Sequence, residues 1–220
     1  MNKYLKWVVI SVFLIVSAGC ATSRGVLDIQ DKPVINPASG KAVKFVRVID
    51  KRDFQINPGQ PSIPSLKNNE INNKDITSRA IARKRNGFGK ALGDILLPED
   101  KTVMGVVENR VSRGFAESGY RVLTPKDKDY ASAIPVEIEI QKFWGWFNPG
   151  FWSIKISFQT ALKITAPIGE FENGVVVESE VQKGFQTAVG SNWQEVIDLS
   201  LEKLNNDIKL KLQSAETQSK

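Results

Sequence analysis

Between Ile134 and Val181 the chain carries three apolar alternations in succession, and this pattern constrains the fold more than any other feature. Ile134, Val136, Ile138 and Ile140 alternate with Pro135, Glu137, Glu139 and Gln141, the period-2 signature of a half-buried strand. Asn148-Pro149-Gly150 signals a turn. Ile154, Ile156, Phe158, Leu162 and Ile164 then mark a second strand, and Val175, Val177 and Val181 a third. Three strands joined by short turns predict an antiparallel meander with one face buried.

Two amphipathic helices are available to cover that face. Pro98-Glu99-Asp100 reads as a helix start, Val103, Val107, Val111 and Phe115 recur every four residues, and Gly119 is a natural stop. Ser191-Asn192-Trp193-Gln194 has the form of a capping box, and Trp193, Ile197, Leu201, Leu204, Ile208 and Leu212 mark the buried stripe of the last helix. Upstream, Val43–Asp50 and Tyr120–Leu123 read as strands, and Val26–Gln30 as a short candidate strand. The predicted class is α+β, a mixed, largely antiparallel sheet with helices packed on one face. A single domain is expected over 42–213, after an N-terminal tether over 20–41 and before a disordered tail over 214–220. The first strand starts either near Val26 or at Ala42. Residues 55–75, with Pro58, Pro61 and Pro64 and no apolar period, are expected to form a long polar loop, functional or disordered.

Composition removes whole classes of chemistry. The 220 residues include no histidine and one cysteine. Ser-His-Asp and Cys-His catalysis and imidazole ligation of a metal or haem are therefore excluded, as are internal disulfides and thiolate clusters. No catalytic residue, metal or cofactor is expected.

The first twenty residues read as an address. Lys3 and Lys6 precede an apolar run from Trp7 to Ala18, followed by Gly19 and Cys20. This is the anatomy of a secretory signal, too short for a membrane span. Ser17-Ala18-Gly19-Cys20 resembles the lipobox of bacterial lipoproteins, with Ser17 where a larger aliphatic residue is usual. Small side chains expose the bond before Cys20, and a thiol is the nucleophile that accepts a lipid. The resemblance implies cleavage of residues 1–19 and acylation of Cys20, with several chains giving firm attachment. By the same resemblance to envelope lipoproteins, Ala21 after the cysteine implies sorting to the outer membrane. The net charge of +6 falls when Lys3 and Lys6 leave with the signal; it fits a solvated surface, and nucleic acid is not an expected partner.

The order of elements then resembles the YajG-like bacterial lipoproteins: a lipobox, a strand ending Val48-Ile49-Asp50-Lys51-Arg52, a glycine-containing polar segment, a helix closing in Ser118-Gly119-Tyr120-Arg121-Val122, a meander and a C-terminal amphipathic helix. The resemblance carries over no catalytic residue. It implies a small envelope lipoprotein. The signal ending at Cys20, the absence of histidine and the aromatic tip lead to the expectation of an exported, periplasm-facing outer-membrane protein, held through its N-terminal lipid and serving as a non-enzymatic accessory or scaffold with an envelope protein partner. Its oligomeric state stays open.

Two stretches are candidate contacts. Phe143, Trp144, Trp146, Phe147, Phe151 and Trp152 crowd a predicted hairpin tip; Trp144 and Trp146 share one strand face, Phe143 and Phe147 the other. Either local packing, including the long loop, covers both faces, or Trp144, Trp146, Phe147, Phe151 and Trp152 meet a partner or the membrane. The hairpin 143–152 could also serve a glycan- or lipid-binding module. Arg83, Lys84, Arg85 and Lys90 surround Gly87 and Gly89, either as a flexible basic loop or as an anion contact for headgroup phosphates. Asp50 with Arg52 reads as a strand-end ion pair of little worth if exposed, and Glu137 with Glu139 as a solvated face.

Overall fold

A computed structural model describes residues 24–66, 70–85, 90–149, 153–186 and 189–218, with the side chains of 148, 149 and 216–218 left aside. The signal sequence, Cys20, Gly87, Gly89, Phe151 and Trp152 lie outside the described residues. Eight strands form one mixed sheet: β1 (Gly25–Val26), β2 (Ala42–Asp50), β3 (Ala80–Arg85), β4 (Ala91–Leu96), β5 (Arg121–Val122), β6 (Ile134–Pro149), β7 (Ile154–Thr165) and β8 (Val175–Phe185). The described helices are a single turn, α1 (Lys74–Thr77), and the longer α2 (Val103–Glu117) and α3 (Gly190–Gln218).

The expected meander is present. β6 pairs antiparallel with β7 from Glu137 to Pro149, and β7 with β8 from Ile154 to Ile164. These two long ladders dominate the hydrogen bonding, and β3–β4 adds a third antiparallel pair. The other edge of β6 is divided. Its first half, Ile134–Ile140, pairs parallel with β2, while Gly145 and Trp146 pair parallel with β3. The sheet thus forks, one arm running β6-β2-β5 and the other β6-β3-β4-β1.

Arg52 fills the fork. Its side chain is fully buried. Nε and Nη2 donate to the two Asp50 carboxylate oxygens at 2.8 and 2.6 Å. Nη1 donates to the carbonyls of Ala80 and Phe143, and Nη2 also to Thr77. All five N–H groups of the guanidinium are used, as a buried charge requires. The pair expected to be a minor surface feature is instead the junction of three strands.

Lys142 follows a bulge at Gln141, where the β6–β7 register slips. The extra residue inverts the parity of β6. Val136, Ile138 and Ile140 face the helices before it; Phe143, Gly145 and Phe147 face them after it. Gly145 is required by close approach, since a Cβ there would lie 3.0 Å from both Phe158 and the Trp193 ring. The main core fills the space between this face and α2 with α3. Trp144 and Trp146 point to the opposite face and join Leu66, Ala80 and Leu96 in a second, smaller cluster.

Boundaries differ where local chemistry decides. α2 starts at Thr102, whose hydroxyl accepts from the Gly105 N–H at 3.2 Å, rather than at Pro98. α3 begins at Gly190, and the expected Ser191–Gln194 box is not the cap: Gln194 donates to Asp198 instead. The helix continues through the predicted tail to Gln218, because Ala215 is buried beneath Gly169, whose positive φ lets the chain pass closely.

The folded body begins at Gly25, not Ala42, since β1 pairs with β4 and Leu27 N–H donates to Leu96. Residues after it form a strap over α2. Gln30 accepts from Arg110, Lys32 exchanges two bonds with Asn109, and Asn36 two with Val122.

Across α2 and α3, Glu117 accepts from Arg113, Asn205 and Lys209. Burial works against its charge, but these donors outweigh burial and hold the carboxyl below its ordinary value. Its contribution is present above the unfolded carboxyl value of about 4.3 and is lost as pH falls through the lower folded value. Urea titrations should show about 1 kcal/mol of stability lost on acidification below about pH 4 in the native chain, with the slope reduced in Glu117→Gln. Arg52→Met should cost about 3 kcal/mol or more, because it orphans Asp50 and three carbonyls. Arg52→Lys should restore little of that loss in the same titration, since an ammonium cannot reproduce the fork.

Candidate functional site

Beside the Arg52 junction, between the end of β2 and residues 71–78 that lead into β3, a cleft of about 580 Å³ opens, within the size range of small-molecule pockets. The residue run after β2 builds one wall, because Phe54 turns back over Arg52 (5.1 Å from guanidinium to ring) and meets the Trp144 ring edge-on at 5.8 Å. Val48, Ile49, Ile71 and Met104 supply further apolar surface. Polar groups at the cleft are largely committed: Thr77 and Ser78 donate to the Asn73 and Asp75 carbonyls, and the Asp50 carboxylate is held by Arg52. Lys74 is an exposed cation at the rim. An arrangement with its lone carboxylate held by Arg52 offers a ligand apolar contact and one positive charge.

The long segment expected as a polar loop over 55–75 is part of this construction. Gln55 N–H donates to Pro64, Glu70–Asn72 forms a 3-10 turn, and Asn73 caps α1 through the Asp75 N–H. Of its apolar residues, Leu66 and Ile71 lie on the second cluster, whereas Ile56 is exposed.

The aromatic tip is corrected by burial. Trp144 is 0% exposed, Phe147 6% and Trp146 7%. Trp144 Nε1 donates to the Pro61 carbonyl at 3.2 Å, and Phe147 packs on Trp193 at 6.3 Å. Partner contact, lipid contact or glycan stacking requires an accessible ring, which these three do not offer. The predicted sharing of faces, Trp144 with Trp146 and Phe143 with Phe147, is observed; the segment 54–66 covers the tryptophan side.

The basic stretch is corrected as well. Arg83, Lys84 and Arg85 lie in β3, inside the sheet rather than in a flexible loop. Arg83 is 7% exposed and stands opposite Asp94 in the register, Nε to Oδ1 3.4 Å. Asp94 also binds Arg24 at 3.0 Å, and Arg24 binds Glu70 at 2.6 Å. Arg85 donates to Ser65 at 2.8 Å; burial, then the nearby Arg83 charge, lowers its pKa against the pull of Asp94. Lys84 is half-buried and Lys90 exposed, and both are engaged in contacts. These four residues do not converge on an anion site. The signal for this hairpin was Asn86-Gly87 between Ala80–Arg85 and Ala91–Leu96, a strong turn dipeptide.

Glu137 and Glu139 lie on the uncovered sheet face, paired with Arg47 at 3.6 Å and Lys51 at 2.6 Å. The Lys51 hydrogen bond holds the Glu139 carboxyl below its usual value. Among the described residues no three acidic, cysteine or histidine side chains gather as a metal site, and no helix is long and apolar enough to cross a membrane.

Because Trp144 is core, Trp144→Ala should lower unfolding stability by about 3–5 kcal/mol, read by urea denaturation, rather than leave the fold unchanged as loss of a surface contact would.

No family model matches the chain, and no curated protein matches it. Solved structures similar to it include the following two. One is protein XCC0632 from Xanthomonas campestris, of family DUF330, at TM-score 0.45 and 13% identity, covering 89% of this chain and 98% of that one. The other is an uncharacterised protein at TM-score 0.40 and 9% identity, covering 88% of this chain and 98% of that one.

Proposed function

We propose that the chain is a YajG-like envelope lipoprotein, anchored through lipid on Cys20 and acting as a non-enzymatic accessory or interaction protein on the periplasmic side of the outer membrane. The observation that carries this reading is the position of the only cysteine. It ends a short apolar leader, and the sheet starts at Gly25, five residues later. Five residues can reach at most about 18 Å, so in this reading the domain lies close to the bilayer with its β1 edge nearest. Arg24, the first described residue, is held to the domain by Glu70 and Asp94.

An interaction role suits the surfaces. The fork cleft offers binding chemistry, and the far edge of the sheet, β8, is separated from β1 by five strand spacings, about 24 Å. That edge faces away from the lipid.

Mass spectrometry of the mature protein should find residues 1–19 absent and Cys20 carrying fatty chains. Cys20→Ala should leave the protein unlipidated and out of the outer-membrane fraction. An uncut leader, or an unacylated Cys20 start in the wild type, overturns the anchor and the compartment together.

A further inference from the structure

β8 is an eleven-residue edge strand whose only partner among the described residues is β7. In an antiparallel pair, alternate residues turn their N–H and C=O groups outward, so this edge presents a row of free backbone donors and acceptors. Native edges of this length are ordinarily covered or interrupted. Here the side chains beside the edge are arranged in two unlike rows. On the uncovered face stand Glu178 and Glu180, both exposed and without a cationic partner among the described residues. On the helix face the flank of α3 runs alongside. Asp207, Leu210 and Lys211 border a hollow of about 240 Å³ with Val177 and Glu178. Leu210 is 63% exposed, and Leu199, 46% exposed, lies three helical turns earlier on the same stripe.

We propose that β8 receives an extended segment of a partner protein as a ninth strand, with apolar side chains on the α3 side and lysine or arginine on the other. The added ladder supplies the main-chain bonds, as in other strand-addition complexes. Period-2 alternation sends the apolar residues onto Leu199 and Leu210 and the basic ones beside Glu178 and Glu180. A second copy of this chain is a poor occupant: the full-length antiparallel register of β8 on itself sets Glu180 opposite Glu180, and like charges directly opposite destabilise. This deepens the interaction role proposed above by naming its surface, but it does not depend on acylation.

The test uses the purified mature protein and three synthetic ten-residue peptides: alternating Val and Lys, alternating Val and Glu, and the first composition with its lysines in one block. Hydrogen exchange is followed by mass spectrometry and affinity by fluorescence anisotropy. The alternating Val–Lys peptide should slow exchange within 175–185 and bind about tenfold or more tightly than either control. Glu178→Lys with Glu180→Lys should reverse the preference toward the Val–Glu peptide, and Leu210→Asp should weaken binding while leaving the urea midpoint unchanged. Equal binding of the blocked peptide, protection elsewhere, or a dimer whose β8 amides are already protected in the free protein overturns the proposal. A Cys20 start bearing no fatty chains, seen in the separate mass measurement, would remove the anchor and leave this result intact.

Discussion

The sheet is held together at one buried guanidinium. β6 is long enough to serve two neighbours along a single edge, but two strands arriving from different parts of the chain leave a gap of backbone between them. Arg52 closes it with five donors, three carbonyl groups and one carboxylate. Without that contact the Phe143 carbonyl would face an apolar interior unpaired, the kind of defect folded proteins avoid. The same residue carries the ring of Phe54, which starts the segment that covers Trp144. Fork, cleft and second core thus share one origin.

Much of the helix side was legible from periodicity. Ile134 to Ile140, Ile154 to Ile164 and Val175 to Val181 declared a meander because only one of their faces is apolar. The repeat from Val103 to Phe115 and the stripe from Trp193 to Leu212 declared its cover. Periodicity failed where a strand changes phase. The bulge at Gln141 sends Trp144 and Trp146 to the face that Glu137 and Glu139 occupy earlier on β6, and nothing in the local pattern announces an extra residue. The tip is therefore apolar on both faces in the sequence, and of the two readings left open there the covered one holds: the cover lies some eighty positions upstream, in the long polar segment.

Charge misled the reading in the same way at β3. Arg83 and Arg85 suggested solvent, yet Asp94 sits in register with Arg83, and Ser65 accepts from Arg85. Pairing across strands is a property of tertiary register, and a lone sequence does not display it. Arg52 illustrates the point most fully: Asp-x-Arg at a strand end is common at surfaces, and its burial follows from the arrival of β3. The candidate cleft is illegible for that reason, being a product of where residues 71–78 come to lie against the end of β2 rather than of any motif.

The N-terminal strap gives the molecule a mechanical asymmetry. β1 is only two residues long, whereas the ladders of β6, β7 and β8 engage ten or more residue pairs each. Tension applied between the N-terminal end and the far sheet edge loads these ladders in series, and two links of that series, β1–β4 and β3–β6, have only two residue pairs each. The β1–β4 pair, with the Arg24 clamp and the bonds from Gln30, Lys32 and Asn36, would peel before the meander opened. Released up to Lys41, those seventeen residues could reach at most about 60 Å end to end, turning a docked strap into a free tether while the meander stays folded.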